Sequence, residues 1–243
     1  MSAANSDEPT TARSSYHSAT SYYSTIASTY DQRPRSPTRC RDVSLIRGLV
    51  ARQLRHLDVI EIAPGTGEWT GYISQVAATV VALDVNEAML KVARQRCAEV
   101  RGVRVVCADA YNLPLRFAAF SGAFAGWWLS HVPKECIPHF LDELSAKLTH
   151  DSVLIFADDT TRVTEDFVGS DANENMYARR KSPDGRDHHI IKNLYSREEL
   201  ASLLAPVGRI IEYVEGEVHW GVAFSPHGPP EPTTHPDNSM IAN

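Results

Sequence analysis

The sequence has no apolar run approaching the roughly 20 residues that a membrane-spanning helix needs, so no membrane role is expected. It has no basic excess either. Its 24 Lys and Arg stand against 30 Asp and Glu, a net charge of −6, which argues against a general nucleic-acid binder. The four cysteines, Cys40, Cys97, Cys107 and Cys136, lack the spacing of a metal site, and no ligand cluster demands a metal. The first 20 residues lack the apolar core of a signal peptide, so the chain reads as cytoplasmic. No internal repeat is visible. A complete G-x-G-x-x-G is also missing. Counted from Gly65, the third glycine position holds Thr70, which reads against a dinucleotide site.

What is present begins with 43% apolar residues in a chain of 243, enough for one large α/β domain with a sizeable core. Residues 57–69 organise it. A strand of branched apolar residues breaks at Pro64-Gly65-Thr66-Gly67, and a helical pattern restarts through Trp69, Tyr72, Ile73 and Val76. A strand, a glycine-bearing turn and a helix form a nucleotide-binding half, because glycine lets the backbone approach a ligand with no Cβ in the way. Glu61 sits at the carboxyl end of that strand, close to where a pyrophosphate would lie. A carboxylate there repels phosphate and suits a ligand carrying positive charge, such as an amino-acid ammonium.

The pattern Glu61-x-Ala63-x-Gly65-x-Gly67 resembles motif I of the class I S-adenosylmethionine-dependent methyltransferases, with Ala63 in place of the first glycine. The resemblance extends over about residues 20–224. It implies an α/β, Rossmann-like seven-stranded methyltransferase sheet with its last strand antiparallel and an N-terminal helical lid. It implies S-adenosyl-L-methionine as cofactor, held in part by Glu61, Ala63, Gly65, Thr66 and Gly67.

The strand over residues 78–84 ends in Asp84, 19 residues beyond Gly65. That is the distance at which such folds place a carboxylate for ribose hydroxyls. A helix N-cap is the alternative, a role Asn86 also fits. A helix over residues 86–98 carries Met89, which with Val85 packs on the adenine or belongs to the core. A strand over residues 103–108 leads to Asp109 and Ala110, which match the family's adenine-binding pattern. Asp109 equally suits a turn bonded to its own backbone. Tyr16, Tyr22, Tyr23, Ile26 and Tyr30 fall near a helical period in residues 15–30, as a surface helix or as a lid over the cofactor. The resemblance favours the lid, places Tyr22 and Tyr30 beside the cofactor, and leaves Arg33 to meet the methionine carboxylate or remain a solvated charge.

The strand over residues 120–128 should lie beside the first strand, making the crevice between them the topological switch point where ligands bind. Trp127 and Trp128 should alternate in direction along it, one facing the core and one a pocket or helix; Trp127 is the candidate for the cofactor and Trp128 for the acceptor. His131, in a Ser-His-Val-Pro segment similar to the family's, is either a proton acceptor or a packing residue. His131 and Tyr23 are the candidate catalytic bases. Further helices are expected over residues 42–55, 137–148 and 196–204, with strands over residues 153–157, 209–215 and 217–224.

Residues 160–195 interrupt the α/β alternation. Tyr177, Arg179, Arg180, Lys181 and Lys192 sit there around an Asp184-Gly185 turn, as a hairpin. They read as a solvated loop or as an anion site for the acceptor. A recurring Asp-Gly-Arg, Ile-x-Lys and Glu-Leu pattern resembles a group that includes C-methyltransferases of isopentenyl diphosphate. The expected domain spans residues 15–224, with lid helices in 15–55, an acceptor insertion in 160–195, and disorder in 1–14 and 225–243. The expected partner is a small, anionic acceptor such as a prenyl diphosphate. O- or N-methylation of a natural product or carboxylic acid is the alternative, and a non-catalytic cofactor-binding regulator is the alternative class. A homodimer is left open.

Overall fold

The computed structural model describes residues 10–227, with side chains from residue 18 onward. The expectations of disorder for residues 1–9 and 228–243 lie outside the described residues, as does the Tyr16 side chain. Helix α1 (Thr10–Ile26) begins inside the stretch expected to be disordered. It buries Tyr22 and Ile26, four residues apart on one face. Helix α2 (Pro37–Gln53) starts where the Ser36 hydroxyl accepts from Arg39 N, with Pro37 in the first turn. Its face of Asp42, Ile46, Leu49 and Val50 is buried.

Five strands follow in the α/β rhythm: β1 (Asp58–Ile62), β2 (Thr79–Asp84), β3 (Val103–Cys107), β4 (Phe120–Gly126) and β5 (Leu148–Asp159). Between them lie α3 (Glu68–Ile73), α4 (Glu87–Arg96) and α5 (Ile137–Ser145). Asn86 caps α4, its side chain accepting from Ala88 N and Met89 N, which frees Asp84 from that task. After an insertion of three strands, β6 (Phe167–Ser170), β7 (Met176–Lys181) and β8 (Asp187–Ile191), the chain returns through α6 (Arg197–Leu204), β9 (Gly208–Glu215) and β10 (His219–Pro226). A capping box between Ser196 and Glu199 opens α6.

The main sheet has seven strands in the order β3-β2-β1-β4-β5-β10-β9. β1 pairs in parallel with both β2 and β4, and β10 runs antiparallel to both neighbours. This is the sheet expected from the sequence. Two clusters fill its two faces: Phe140, Phe156, Trp220 and Phe224 on one, Ile46, Leu49, Leu54 and Phe124 on the other. Asp42 crosses from α2 to accept backbone N–H bonds from Val218 and His219, which fixes where β10 begins. Among the described residues, no helix is long and apolar enough to cross a membrane.

Several elements differ from expectation, β10 among them, which runs on to Pro226 inside the tail expected to be disordered. β4 stops at Gly126, so Trp127 and Trp128 do not alternate along a strand. Trp127 takes a left-handed backbone (φ 52°), because its indole packs against Trp69 and His219 while its N–H donates to Asp159 Oδ1 at 3.2 Å. Leu148 opens β5 instead of closing α5. The insertion is a three-stranded sheet, β6-β7-β8, and not a lone hairpin.

Candidate active site

The order of strands reverses between β1 and β4, and a cavity of about 540 Å³ opens at their carboxyl ends. The turn after β1 supplies Ala63, Gly65 and Thr66 to its wall. The turn after β2 supplies Asp84, Val85 and Met89, and the segment after β4 supplies Trp127, Trp128 and His131. Tyr22, Tyr23, Tyr30 and Arg33 close it from the α1 side, and Arg180 and Lys192 from the insertion.

At the cofactor side, Glu61 is 1% exposed and its Oε2 has no hydrogen-bond partner. Burial, with Asp84 adding like charge, pushes its pKa up to about 8. Such an oxygen asks for a cationic or donating ligand group. Asp84 accepts from Gly65 N (3.2 Å) with one oxygen and from Asn86 N (2.8 Å) with the other, and each oxygen keeps a lone pair for a hydroxyl. Ala63 and Gly65 both have positive φ, 51° and 57°. A Cβ added to Gly65 would meet nothing within 4 Å, so it would fill open cavity. This donor set fits an amino-acid-bearing nucleoside. Gly67 lies outside the wall. It starts α3 with φ 79°, and a Cβ there would come within 3.0 Å of Ala93 Cβ, so its role is helix packing.

The lid is tied to this turn. Asp31 accepts from the Thr66 hydroxyl and pairs with Arg96, and Arg35 pairs with Glu68 through both carboxylate oxygens. Arg33 donates to the Tyr22 hydroxyl (2.8 Å) and lies over the Tyr30 ring.

On the acceptor side, Tyr23 and His131 meet: the Tyr23 hydroxyl is 3.1 Å from His131 Nε2. His131 Nδ1 is 2.6 Å from Ile191 O, a group that only accepts. The imidazole proton is therefore on Nδ1, and Nε2 accepts from Tyr23. Burial, reinforced by the Lys192 charge, drives His131 down to about 4, while burial raises Tyr23 well above its ordinary value. The pair is neutral at physiological pH. Lys192 Nζ contacts Ser130 Oγ (3.0 Å), Asp158 Oδ1 (3.0 Å) and Asp159 Oδ2 (2.8 Å). Burial opposes its charge, but the two carboxylates outweigh burial and raise its pKa. Burial likewise disfavours ionised Asp159, yet His219 and Lys192 hold it well below the carboxylate range.

Six sequence candidates fall outside the wall, Gly67 among them. Tyr177, Arg179 and Lys181 share the face of β7 opposite Arg180, since side chains alternate along a strand. Arg179 pairs with Asp166 in solvent, and the Tyr177 hydroxyl donates to Asp171. Asp109 closes its own turn by accepting from Tyr111 N (3.0 Å), and Ala110 is buried in the core. Tyr177, Arg179 and Lys181, expected at an anion site, and Asp109 and Ala110, expected at the adenine, thus lie outside this cavity wall. Conversely, Glu165, Trp69 and His219 line the cavity without having been singled out. Asp159, at the end of β5, lines it as well. Among the described residues, no group of three or more His, Cys, Asp or Glu could hold a metal.

Comparison with known proteins agrees with this geometry. A family model described as "Methyltransferase domain" matches residues 59–151. Demethylmenaquinone methyltransferase of Staphylococcus epidermidis is 32% identical over 77 residues, a stretch covering 30% of this chain and 32% of that protein. The chain thus aligns with about a third of the length of that relative. Two solved structures, a DhpI–SAH complex and a DhpI–SAM–HEP complex, superpose with TM-score 0.71 at 26% identity. They cover 88% of this chain and 98% and 99% of theirs. A SAM-dependent methyltransferase from Aquifex aeolicus shares the fold (TM-score 0.57, 20% identity, 78% of this chain and 93% of that one). With the strand order, the orphaned Glu61 and the ribose-type Asp84 in place, residues 59–151 match a methyltransferase domain and the chain has the fold of the class I S-adenosylmethionine-dependent methyltransferases.

Proposed function

We propose that the protein transfers the methyl group of S-adenosylmethionine to a small anionic molecule bound among Arg180, Tyr23, His131 and Trp128. The observation that carries this reading is Arg180, a guanidinium turned into the same cavity as Glu61 and Asp84. The cofactor, when bound, supplies a methyl on an activated sulfonium leaving group. Glu61 takes its ammonium and Asp84 its ribose hydroxyls. The neutral Tyr23–His131 pair orients the acceptor without adding charge, and alignment of that kind lowers the barrier without a strong base. The lid and the aromatic wall of Trp127 and Trp128 limit water.

The finer reading is C-methylation of a prenyl diphosphate such as isopentenyl diphosphate. Arg180 holds the phosphate end, and the aromatic faces buffer a developing carbocation. A second reading, O-methylation of a hydroxyl or carboxylate acceptor, is favoured by the lone pair on His131 Nε2 beside Tyr23. That DhpI was solved with both SAM and HEP supports a two-ligand cavity here. The test is transfer of labelled methyl to a panel of prenyl diphosphates, phenols, amines and carboxylates. Arg180→Gln should raise the acceptor KM by ~30-fold or more, as loss of a charge-assisted bidentate contact does, with cofactor affinity unchanged. Arg179→Gln should behave like the wild type. Equal effects of both variants would remove the acceptor site from this cavity.

A further inference from the structure

The Arg180 guanidinium is already engaged. It lies 2.6 Å from Glu165 Oε2, both residues line the cavity, and their side chains are only 22% and 13% exposed. Glu165 belongs to the connection between β5 and β6. Its neighbour Asp166 is fixed to the opposite face of β7: the Asp166 carbonyl accepts from Arg179 N at 2.8 Å, and its carboxylate pairs with Arg179. The connection is thus stitched to β7 at two successive residues pointing opposite ways, which holds Glu165 inside. Lys192, the buried cation of the cavity wall, is committed to Asp158 and Asp159. An anion arriving at Arg180 therefore meets a tethered carboxylate in its place.

A carboxylate ligand brings Arg180 the same kind of group that Glu165 already gives it, but without the advantage of a tether, and it feels the Glu165 charge besides. A phosphoryl group carries a charge approaching two at neutral pH and three acceptor oxygens. It can take the guanidinium with two of them and still outweigh a single carboxylate. Resting on the acceptor reading above, we propose that Glu165 is a threshold gate, a built-in carboxylate that occupies Arg180 and weakens every incoming anion, so that weakly held carboxylates are rejected while the more highly charged phosphoryl anions still displace it. Specificity then comes from a repulsive element as well as an attractive one. The substrate class that follows is a phosphate or diphosphate ester.

The test uses the full chain, with inorganic phosphate and acetate as probes, titrated by NMR at constant ionic strength. The wild type should bind phosphate and discriminate against acetate. Glu165→Gln should tighten acetate by roughly tenfold, the effect of removing one like charge beside the bound anion, and should tighten phosphate at least as much. Glu165→Ser, which clears the position altogether, should do the same and serves if the glutamine variant fails to fold. Acetate affinity unchanged in the folded variant, or failure of phosphate to bind the wild type, would overturn the gate. Methyl transfer enters neither titration. A chain that moves no label would refute the enzymatic reading while leaving these affinities to decide the gate.

Discussion

Substituting Glu61 with glutamine removes a charge and keeps the shape, so stability and cofactor binding should move in opposite directions. In the folded protein Glu61 is fully buried with an unpartnered oxygen and a pKa near 8, against an ordinary value of 4.5. Between those values the folded chain keeps a proton that the unfolded chain releases, so stability falls as pH rises. The slope is ~1.4 kcal/mol per pH unit, which reaches ~3 kcal/mol by pH 7. Glutamine does not titrate and removes this penalty. Thermal denaturation without cofactor should show Glu61→Gln melting higher than wild type at pH 8 by ~6–12 °C for a domain of this size. The gap should close toward pH 5, where the wild-type side chain is protonated. The same variant should bind S-adenosylmethionine ~30-fold or more weakly, since a ligand ammonium would lose its buried partner. A Tm difference independent of pH, or a variant less stable than wild type at pH 8, would refute the reasoning.

Two further outcomes follow from the same geometry. Because burial holds His131 near 4, kcat/KM should carry no histidine limb between about pH 5.5 and 8, and Tyr23→Phe should leave that plateau in place while lowering its height. A limb near 6.5 would mean that His131 titrates as a solvated base. Gly67→Ala places a Cβ at positive φ and 3.0 Å from Ala93 Cβ, and should cost ~2 kcal/mol or more by denaturant titration. Gly65→Ala, whose Cβ meets open space, should cost about 1 kcal/mol yet weaken cofactor binding.

The parts of the site that were legible in the sequence are those fixed by local chain order. Glu61 and Asp84 end neighbouring parallel strands, so their placement follows from the strand-turn-helix pattern alone. Asn86 was readable as a cap for the same reason. The parts that were not legible depend on register or on distant chain. Arg179, Arg180 and Lys181 are equivalent in composition, and only the pairing of β7 with β8 decides that Arg180 alone turns inward. His219 reaches the cavity because β10 returns antiparallel and Asp42 pins its start, contacts 176 and 177 residues apart in sequence. Trp127 carried the right residue type for a cavity wall, but its left-handed backbone arises from Asp159, 32 residues on. Ala63 adopts the backbone of the glycine it replaces, so the motif keeps its shape at that position.

The account stands on the acid-tipped strands β1 and β2 reading a sulfonium nucleoside. The most direct test is calorimetric titration of the wild-type chain with S-adenosylmethionine, its demethylated product, NAD and ATP. Saturable one-to-one binding of the first two, with no heat from the others, is the result expected. Tight uptake of NAD or ATP and indifference to S-adenosylmethionine would contradict it.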